Sequence, residues 1–332
     1  YGCTGERNTI LGRQASYGTG SRNDNVNLGY RAGFNQTTSS DCVLIGSEAG
    51  NSQTTGDNNI AIGKHAAYYG FGTNTSQNHS NIAIGTETLR GSSGNRWENV
   101  VIGHAAGYTL GTGYKNCIIG RGAAYFGNFM NECVIIGHTS GANTLYGPEV
   151  FIGYESGKSN TTGQYNNCIG YKSAANLTTG DNNIVLGGIV PNGSDTSLFN
   201  LTTEDNRMIL GHNLITNSYT KVALTVTSDE RDKTNFTTVP HGLNFVNQLK
   251  PVAFQFRKER SSDETIGPVR YGFKAQDILA LEGSDPVIID AEESDHLKYK
   301  GEHLVPVLVN AVQELNKMID ELKAEIKTLK SN

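Results

Sequence analysis

The chain has 332 residues, enough for two or three domains with a sizeable core. Its formal net charge of -5 lacks the basic excess that a phosphate backbone requires, which argues against nucleic acid as a partner. With 40 Gly against 7 Pro, abundant Asn and Thr, and only 18% charged residues, the composition describes a turn-rich β architecture of short, frequent strands.

No run approaches the roughly eighteen apolar residues of a membrane span, so no membrane insertion is expected. The opening Tyr1-Gly2-Cys3-Thr4-Gly5-Glu6-Arg7 has neither a basic n-region nor an apolar h-region, and the first residue is not Met. It reads as the start of a fragment or of a processed chain. The 5 cysteines include no Cys-x-x-Cys pair, so neither a disulfide framework nor a zinc site is indicated. Four of them, Cys42, Cys117, Cys133 and Cys168, fall in the repeated strand and read as small buried apolar residues. His-Glu-x-x-His, a phosphate loop and the calcium-binding nonapeptide are all missing, and no metal or cofactor is expected.

A strand ending in Ile or Leu and then Gly recurs at Gly12, Gly29, Gly46, Gly63, Gly85, Gly103, Gly120, Gly137, Gly153, Gly170, Gly187 and Gly211. Most intervals are 17 residues or within one of it, with 22 before Gly85 and 24 before Gly211. So regular a period predicts stacked coils, a β-solenoid whose coils bury nothing alone and gain stability from their neighbours. At about 4.8 Å per strand, twelve coils make a rod of roughly 50 to 60 Å.

The residue before each Gly is Ile or Leu, and the residue two earlier is usually apolar too, which puts both on one face of a strand and makes that face the expected buried one. Three residues after the Gly comes a small residue in most coils, among them Ala32, Ala49, Ala106, Ser140 and Ser156, as a second tightly packed strand would need. The remainder is turn chemistry, clearest in Thr54-Thr55-Gly56-Asp57-Asn58-Asn59 and its near copy Thr178-Thr179-Gly180-Asp181-Asn182-Asn183.

Two coils carry extra residues: one with Tyr68, Tyr69, Phe71 and His79, the next with Trp97. Insertions at one point of a solenoid often form a binding face, and Tyr68, Tyr69 and Trp97 are candidate stacking residues for a sugar. The plainer reading is that they pack against a neighbouring chain. Tyr30, Tyr154 and Tyr171, each just after a repeat Gly, suggest an exposed ladder. From 189 to 227 the period decays through a turn at Pro191-Asn192-Gly193-Ser194, a last coil at Met208 to Gly211, and a final alternating strand at Val222 to Val226.

After Ser228 the charge rises and the periodicity becomes mixed. A helix is expected at Leu243 to Leu249, strands at Ala253 to Phe256 and Tyr271 to Phe273, a helix at Ala275 to Leu281, and a long helix from Leu304. Val312, Leu315, Ile319, Leu322, Ile326 and Leu329 alternate three and four apart on it, a coiled-coil seam over 304–330 in which Glu325 can meet Lys330 of another chain. Branched residues at one seam position and Leu at the other favour two strands.

At the junction, Thr227-Ser228-Asp229-Glu230-Arg231-Asp232-Lys233, a serine and a lysine stand five apart. A lysine desolvated to near-neutral pKa can act as base for a serine nucleophile. Thr227 and Glu230 also have capping-box spacing, so a simple helix start is the competing local reading.

The junction followed by Leu249-Lys250-Pro251-Val252-Ala253-Phe254, then Gly272-Phe273-Lys274-Ala275-Gln276, then Val309-Asn310-Ala311-Val312-Gln313-Glu314-Leu315 resembles the self-cleaving C-terminal chaperone domain of bacteriophage tail fibres and tailspikes, the peptidase S74 family. That resemblance implies a homotrimer, with Ser228 as nucleophile, Lys233 as base, and cleavage between Thr227 and Ser228. Asp229 and Arg231 match the family motif as supporting residues. The repeats resemble the β-roll heads of trimeric adhesins, whose repeat is shorter.

The expected organisation is a mainly β, trimeric solenoid shaft or receptor-binding region over 1–188, a transition segment over 189–227, and a small α+β chaperone over 228–332. The expected setting is a phage virion and the expected partners are further copies of itself and a host-surface glycan receptor. Two alternatives are a bacterial surface adhesin with a non-cleaving trimerisation domain and a polysaccharide-degrading tailspike. The latter needs a carboxylate pair roughly 5 or 7 to 9 Å apart on the shaft, and no repeat displays one.

Overall fold

Twelve three-residue strands, from Thr9–Leu11 to Met208–Leu210, pair in parallel and in chain order into one sheet. The register places each repeat position on its own equivalent, as in Val43 on Ile60, Leu44 on Ala61 and Ile45 on Ile62. The computed structural model describes residues 4–71, 79–91, 94–188 and 198–331. It comprises two compact units, Tyr1–Asn213 and Leu214–Asn332, whose division falls inside the segment 189–227. The first unit is the β-solenoid that the repeat period predicts. The turn expected at Pro191 to Ser194 lies outside the described residues.

The strand faces are reversed from the sequence expectation. In Val43–Ile45, Ile60–Ile62 and Val134–Ile136 the middle residue is buried, and the two flanking residues, including the Ile before the Gly, are half exposed. The core column is therefore the mixed series Asn27, Leu44, Ala61, Ala83, Val101, Ile118, Ile135, Phe151 and Cys168. The uniform Val and Ile column lies on the outside of the sheet. Alternation correctly groups the flanking residues on one face, but it cannot say which face is inward.

The segment after each Gly is a turn rather than a second strand. Glu48 and Gly50 both have positive φ (60° and 57°), as do His65 and Ala67 (56° and 47°), and alternating left-handed residues cannot form an extended chain. These turns still pair coil to coil: Glu48 N donates to Tyr30 O at 2.7 Å and Gly50 N to Ala66 O at 2.9 Å. The small residues are buried as expected, Ala32, Ala49, Ala106, Ser140 and Ser156 among them.

Core volume is balanced within each coil. Where the strand centre is Leu44, Ile135 or Phe151, the residue four after the Gly is glycine: a Cβ at Gly50 would lie 2.9 Å from Leu44, and one at Gly157 would lie 2.6 Å from the Phe151 ring. Where the strand centre is Ala61 or Ala83, that position holds Ala67 or Leu89, all buried in the same cluster. In these coils a bulky strand centre and a Cβ at the turn exclude each other, as close packing requires. The repeat Gly itself is fixed by contact with its own equivalent, since at Gly46 (φ 131°) a Cβ would stand 2.5 Å from Gly63 O.

A buried asparagine ladder, unrecognised in the sequence, stitches the corner before the strand. Asn99 Nδ2 donates to Asn81 Oδ1 (2.9 Å) and to Gly113 O (2.9 Å), while its own Oδ1 accepts from Asn116 N (3.1 Å) and Nδ2 (2.9 Å). Asn59, Asn166 and Asn183 continue the column. The Thr-Thr-Gly-Asp-Asn-Asn copies bridge coils as well: Thr178 Oγ1 donates to Thr202 O (2.9 Å), and Asp181 Oδ1 accepts from Gln164 N (2.7 Å). Cys42 and Cys133 substitute for Asn in this column, one residue before the strand rather than in it, and both are buried. Cys168 is a strand centre, and Cys117 is a half-buried member of the outer column. Burial pushes the thiols of Cys42 and Cys133 up to about 11 and about 12, as befits packing residues.

Glu149 occupies the same column. Its carboxyl accepts from Asn166 N at 2.9 Å and Nδ2 at 3.5 Å, and burial pushes its pKa up to about 9. It therefore stands in the ladder as a neutral acid.

In the second unit, helix α1 (Leu243–Gln248), helix α2 (Ala275–Glu282) and helix α3 (Leu304–Ser331) accompany the antiparallel pair Val252–Arg257 and Thr265–Gly272. Phe245, Ile278, Ile288, Ile289, Leu304 and Val307 form its core. Glu314 Oε2 accepts from Leu243 N at 2.8 Å and Asn310 Nδ2 donates to Val239 O at 3.1 Å, so two residues of the third motif tether the start of α1. The strand expected at Val222 to Val226 does not form, because the chain supplies no neighbouring edge and a lone strand leaves its backbone unpaired.

Two predictions follow from the ladder. Asn99→Ala strips four partners at once and is expected to cost at least about 2 kcal/mol, read as a lowered thermal midpoint. For Glu149, the unfolded chain releases between pH 4.5 and about 9 a proton that the folded chain keeps, so stability falls as pH rises across that window. Glu149→Gln should remove that loss, raising the melting temperature at neutral pH and leaving it nearly unchanged near pH 4.5. The limiting slope is about 1.4 kcal/mol per pH unit.

Candidate functional site

Residues 217–240 are exposed throughout, and within them the junction folds on itself. Asp229, extended at φ -65° and ψ 135°, accepts from Arg231 N at 2.9 Å and caps a three-residue 3-10 turn, Glu230–Asp232. Asp232 N donates to Asp229 O and Lys233 N to Glu230 O, each at 3.1 Å, and the reversal returns Lys233 to Ser228. Lys233 Nζ donates to Ser228 Oγ at 2.6 Å. All of these contacts are local to the loop.

Arg231 grips the same carboxylate that caps the turn, with Nε to Oδ1 at 3.0 Å and Nη2 to Oδ2 at 2.6 Å. The Arg231 hydrogen bonds hold the Asp229 carboxyl below the usual range, and those to Asp229 raise the guanidinium. Asp229 is thus committed as cap and ion-pair partner, and this pair fixes the loop. The capping box expected from Thr227 and Glu230 is not formed. The cap falls at Asp229, and Glu230 sits inside the turn directly after it, too close to reach back.

On the rod the aromatic candidates fall into separate contacts. Trp97 lies on a short parallel pair, Arg96–Trp97 with Gly113–Tyr114, and stacks on Tyr114 at 4.5 Å and 10°. Tyr68 meets Tyr69 edge-on at 4.9 Å and His65 at 5.5 Å. Among the described residues, no ring contact joins Trp97 to Tyr68 or Tyr69. Phe71 is core. Residues 72–78 and 92–93 of these insertions lie outside the described residues. Tyr154 stacks between His138 (5.4 Å) and Tyr171 (5.1 Å), while Tyr30 is exposed beside Arg31.

Sequence reading missed a column of charge two residues after the repeat Gly. Glu48 lies 3.2 Å from His65, which lies 3.9 Å from Glu87; Arg90, three residues on in the same coil, pairs with Glu87 at 3.2 Å. Its signal is the alternation of basic and acidic residue types at one repeat position, Arg31, Glu48, His65 and Glu87, visible only once the repeats are aligned. Among the described residues, no group of three or more His, Cys, Asp or Glu is placed to hold a metal ion, and no helix is long and apolar enough to cross a membrane.

Residues 228–284 match the peptidase S74 family, described as the chaperone of endosialidase. The match begins at Ser228 and takes in the first two downstream motifs; the third, at Val309 to Leu315, lies beyond it. Neither the curated proteins nor the solved structures contain a match to the chain.

The stacking geometry sets apart packing from recognition. Trp97→Ala should destabilise the rod by about 1 kcal/mol or more beyond lost area, whereas Tyr69→Ala, whose ring is exposed, should leave the thermal midpoint nearly unchanged. Differential scanning calorimetry of the two variants checks this.

Proposed function

We propose that the chain is the distal part of a phage tail fibre or tailspike, in which a host-attachment shaft over 1–188 leads through 189–227 into a chaperone over 228–332. That last segment drives assembly of three chains and then severs itself before Ser228. The observation that carries this reading is the coincidence of the family match, which starts at Ser228, with a lysine amine 2.6 Å from that serine's hydroxyl.

The chemistry follows from the loop. As base, the neutral Lys233 amine takes the Ser228 hydroxyl proton across the existing contact while Oγ attacks the carbonyl carbon of Thr227, the adjacent peptide. The Thr227–Ser228 carbon–nitrogen bond breaks as the proton passes to the Ser228 nitrogen, leaving an ester between Thr227 and Oγ. Water hydrolyses that ester to a Thr227 carboxylate and a free Ser228 hydroxyl. Each chain is its own substrate and is cut once.

Assembly is supported by two apolar surfaces. The outer Val and Ile column runs along the rod's sheet, ending at exposed Met208 and Leu210. The seam of α3, Val312, Leu315, Ile319, Leu322, Ile326 and Leu329, is 39 to 75% exposed in the single chain. Contiguous apolar faces of this kind mark association, and identical chains cover them by symmetry. Seam composition alone favours two strands, and the family likeness is what favours three.

Freshly expressed protein should yield two pieces, ending at Thr227 and beginning at Ser228, by mass spectrometry. Ser228→Ala and Lys233→Ala should each leave the full-length chain. Arg231→Ala, which frees the loop but keeps the pair, should slow cleavage by about tenfold. A wild-type chain that assembles and stays whole contradicts the proposal.

A further inference from the structure

We infer that the rod carries a shallow groove for a linear, uncharged oligosaccharide, which lies along the stack of coils and is held at its two ends by the exposed rings of Tyr69 and Phe126. This rests on the host-attachment reading above and gives it a site and a ligand class.

One turn sequence occurs twice, Ala66-Ala67-Tyr68-Tyr69-Gly70 and Ala123-Ala124-Tyr125-Phe126-Gly127, at the same place after Gly63 and Gly120. Both copies fold alike. The alanines are fully buried and the first ring of each pair is half-buried. The second ring stands across the first, Tyr69 on Tyr68 at 4.9 Å and 84°, Phe126 on Tyr125 at 4.7 Å and 74°. Rings stacked from coil to coil, such as Tyr108 and Tyr125 at 4.9 Å and 1°, cover one another's faces. Tyr69 and Phe126 are turned out of that stack and left 47 and 51% exposed, and among the described residues neither meets any further ring.

The two coils between these copies are small at the matching position, where they carry Gly91 and Thr109. Backbone bonds keep that position aligned: Thr109 N donates to Tyr125 O at 3.0 Å and Phe126 N to Ala142 O at 2.8 Å. Gly91 admits no side chain, since a Cβ there would lie 2.5 Å from Tyr108 O. Three coil rises of about 4.8 Å set the two rings roughly 14 Å apart, with backbone and one threonine between them. A short saccharide chain spans that distance, and a single sugar does not.

The chemistry of the strip selects the ligand class. Arg90 takes the place of the inner ring in the coil after Tyr68, between Tyr68 (6.0 Å) and Tyr108 (5.8 Å), and it is held by Glu87 at 3.2 Å and the Tyr108 hydroxyl at 2.9 Å. With its cation already paired, the strip offers an acidic sugar nothing that an uncharged one lacks. Two rings separated by polar groups also differ from the continuous apolar outer column and α3 seam, which suit another protein surface. Sugars present C–H faces and hydroxyls in alternation, and so match rings spaced by hydrogen-bonding groups.

The full chain carrying Ser228→Ala, applied to an array of linear uncharged hexose oligosaccharides graded from disaccharide to octasaccharide beside acidic chains of matching length, tests this. It should retain an uncharged chain long enough to reach both rings and release the corresponding disaccharide. Tyr69→Ala and Phe126→Ala should each weaken that binding about fivefold, and together roughly twenty-five-fold, because sites so far apart act independently. Tyr69→Phe, which copies the ring of its counterpart, should bind as the parent does. Tyr165→Ala, which removes a 60% exposed ring elsewhere on the rod, should change nothing. Saccharide binding that survives the double alanine variant overturns the groove and leaves the attachment reading standing, and a preference for acidic chains overturns the assigned ligand class. A parent chain that binds no saccharide on the array takes down the glycan reading of attachment along with the groove. Thermal midpoint and light-scattering mass should match the parent in the double variant; a lower midpoint or a smaller mass means that the rings pack within the rod or between copies, and overturns the inference.

Discussion

Self-stacking is the constraint from which the rod follows. In an in-register parallel stack each position lies on its own equivalent in the next coil, so a residue is admitted only if it tolerates a copy of itself about 4.8 Å away. Glycine meets glycine where backbones approach too closely for a Cβ, as at Gly46 and Gly63. Asparagine meets asparagine because its amide carries both donor and acceptor, so one side chain bonds both up and down the column, as from Asn81 through Asn99 to Asn116. Branched apolar residues meet one another on the outer face and shield each other from water.

The same constraint separates what varies from what does not. An inward side chain answers to the space inside its own coil, so Phe151 is matched by Gly157, and the core column changes from coil to coil. The outer column stays Val, Ile or Leu through most of the rod, as a surface facing a repeating partner would. Uniformity there and heterogeneity inside are the reverse of what burial alone suggests, and they tie the fold to the proposed association of copies.

This reversal explains how much of the fold could be read from the chain. The period, the twelve strands, the small residues after the glycine, α1, α2 and α3 were all legible, because each leaves a local pattern. Which strand face is buried was not, since Val43 and Ile45 look like a core pair until Leu44 is seen inside. The asparagine ladder was hidden for a related reason: Asn in a glycine-rich return looks like turn chemistry, and its bonds run to residues 17 or 18 positions away. At the junction the sequence suggested Ser228 and Lys233, and the loop places them in contact. It also suggested a cap at Thr227, which the structure moves to Asp229. The Val222 to Val226 strand failed because alternation describes a strand's face and cannot provide a partner's edge.

The proposed assembly requires the outer column and the helix seam to be surfaces between copies. Multi-angle light scattering of the full chain carrying Ser228→Ala, which holds the rod and the terminal unit together, measures this directly. The expected mass is three times 35.7 kDa. A folded species with the mass of one chain, its sheet content intact, would contradict it.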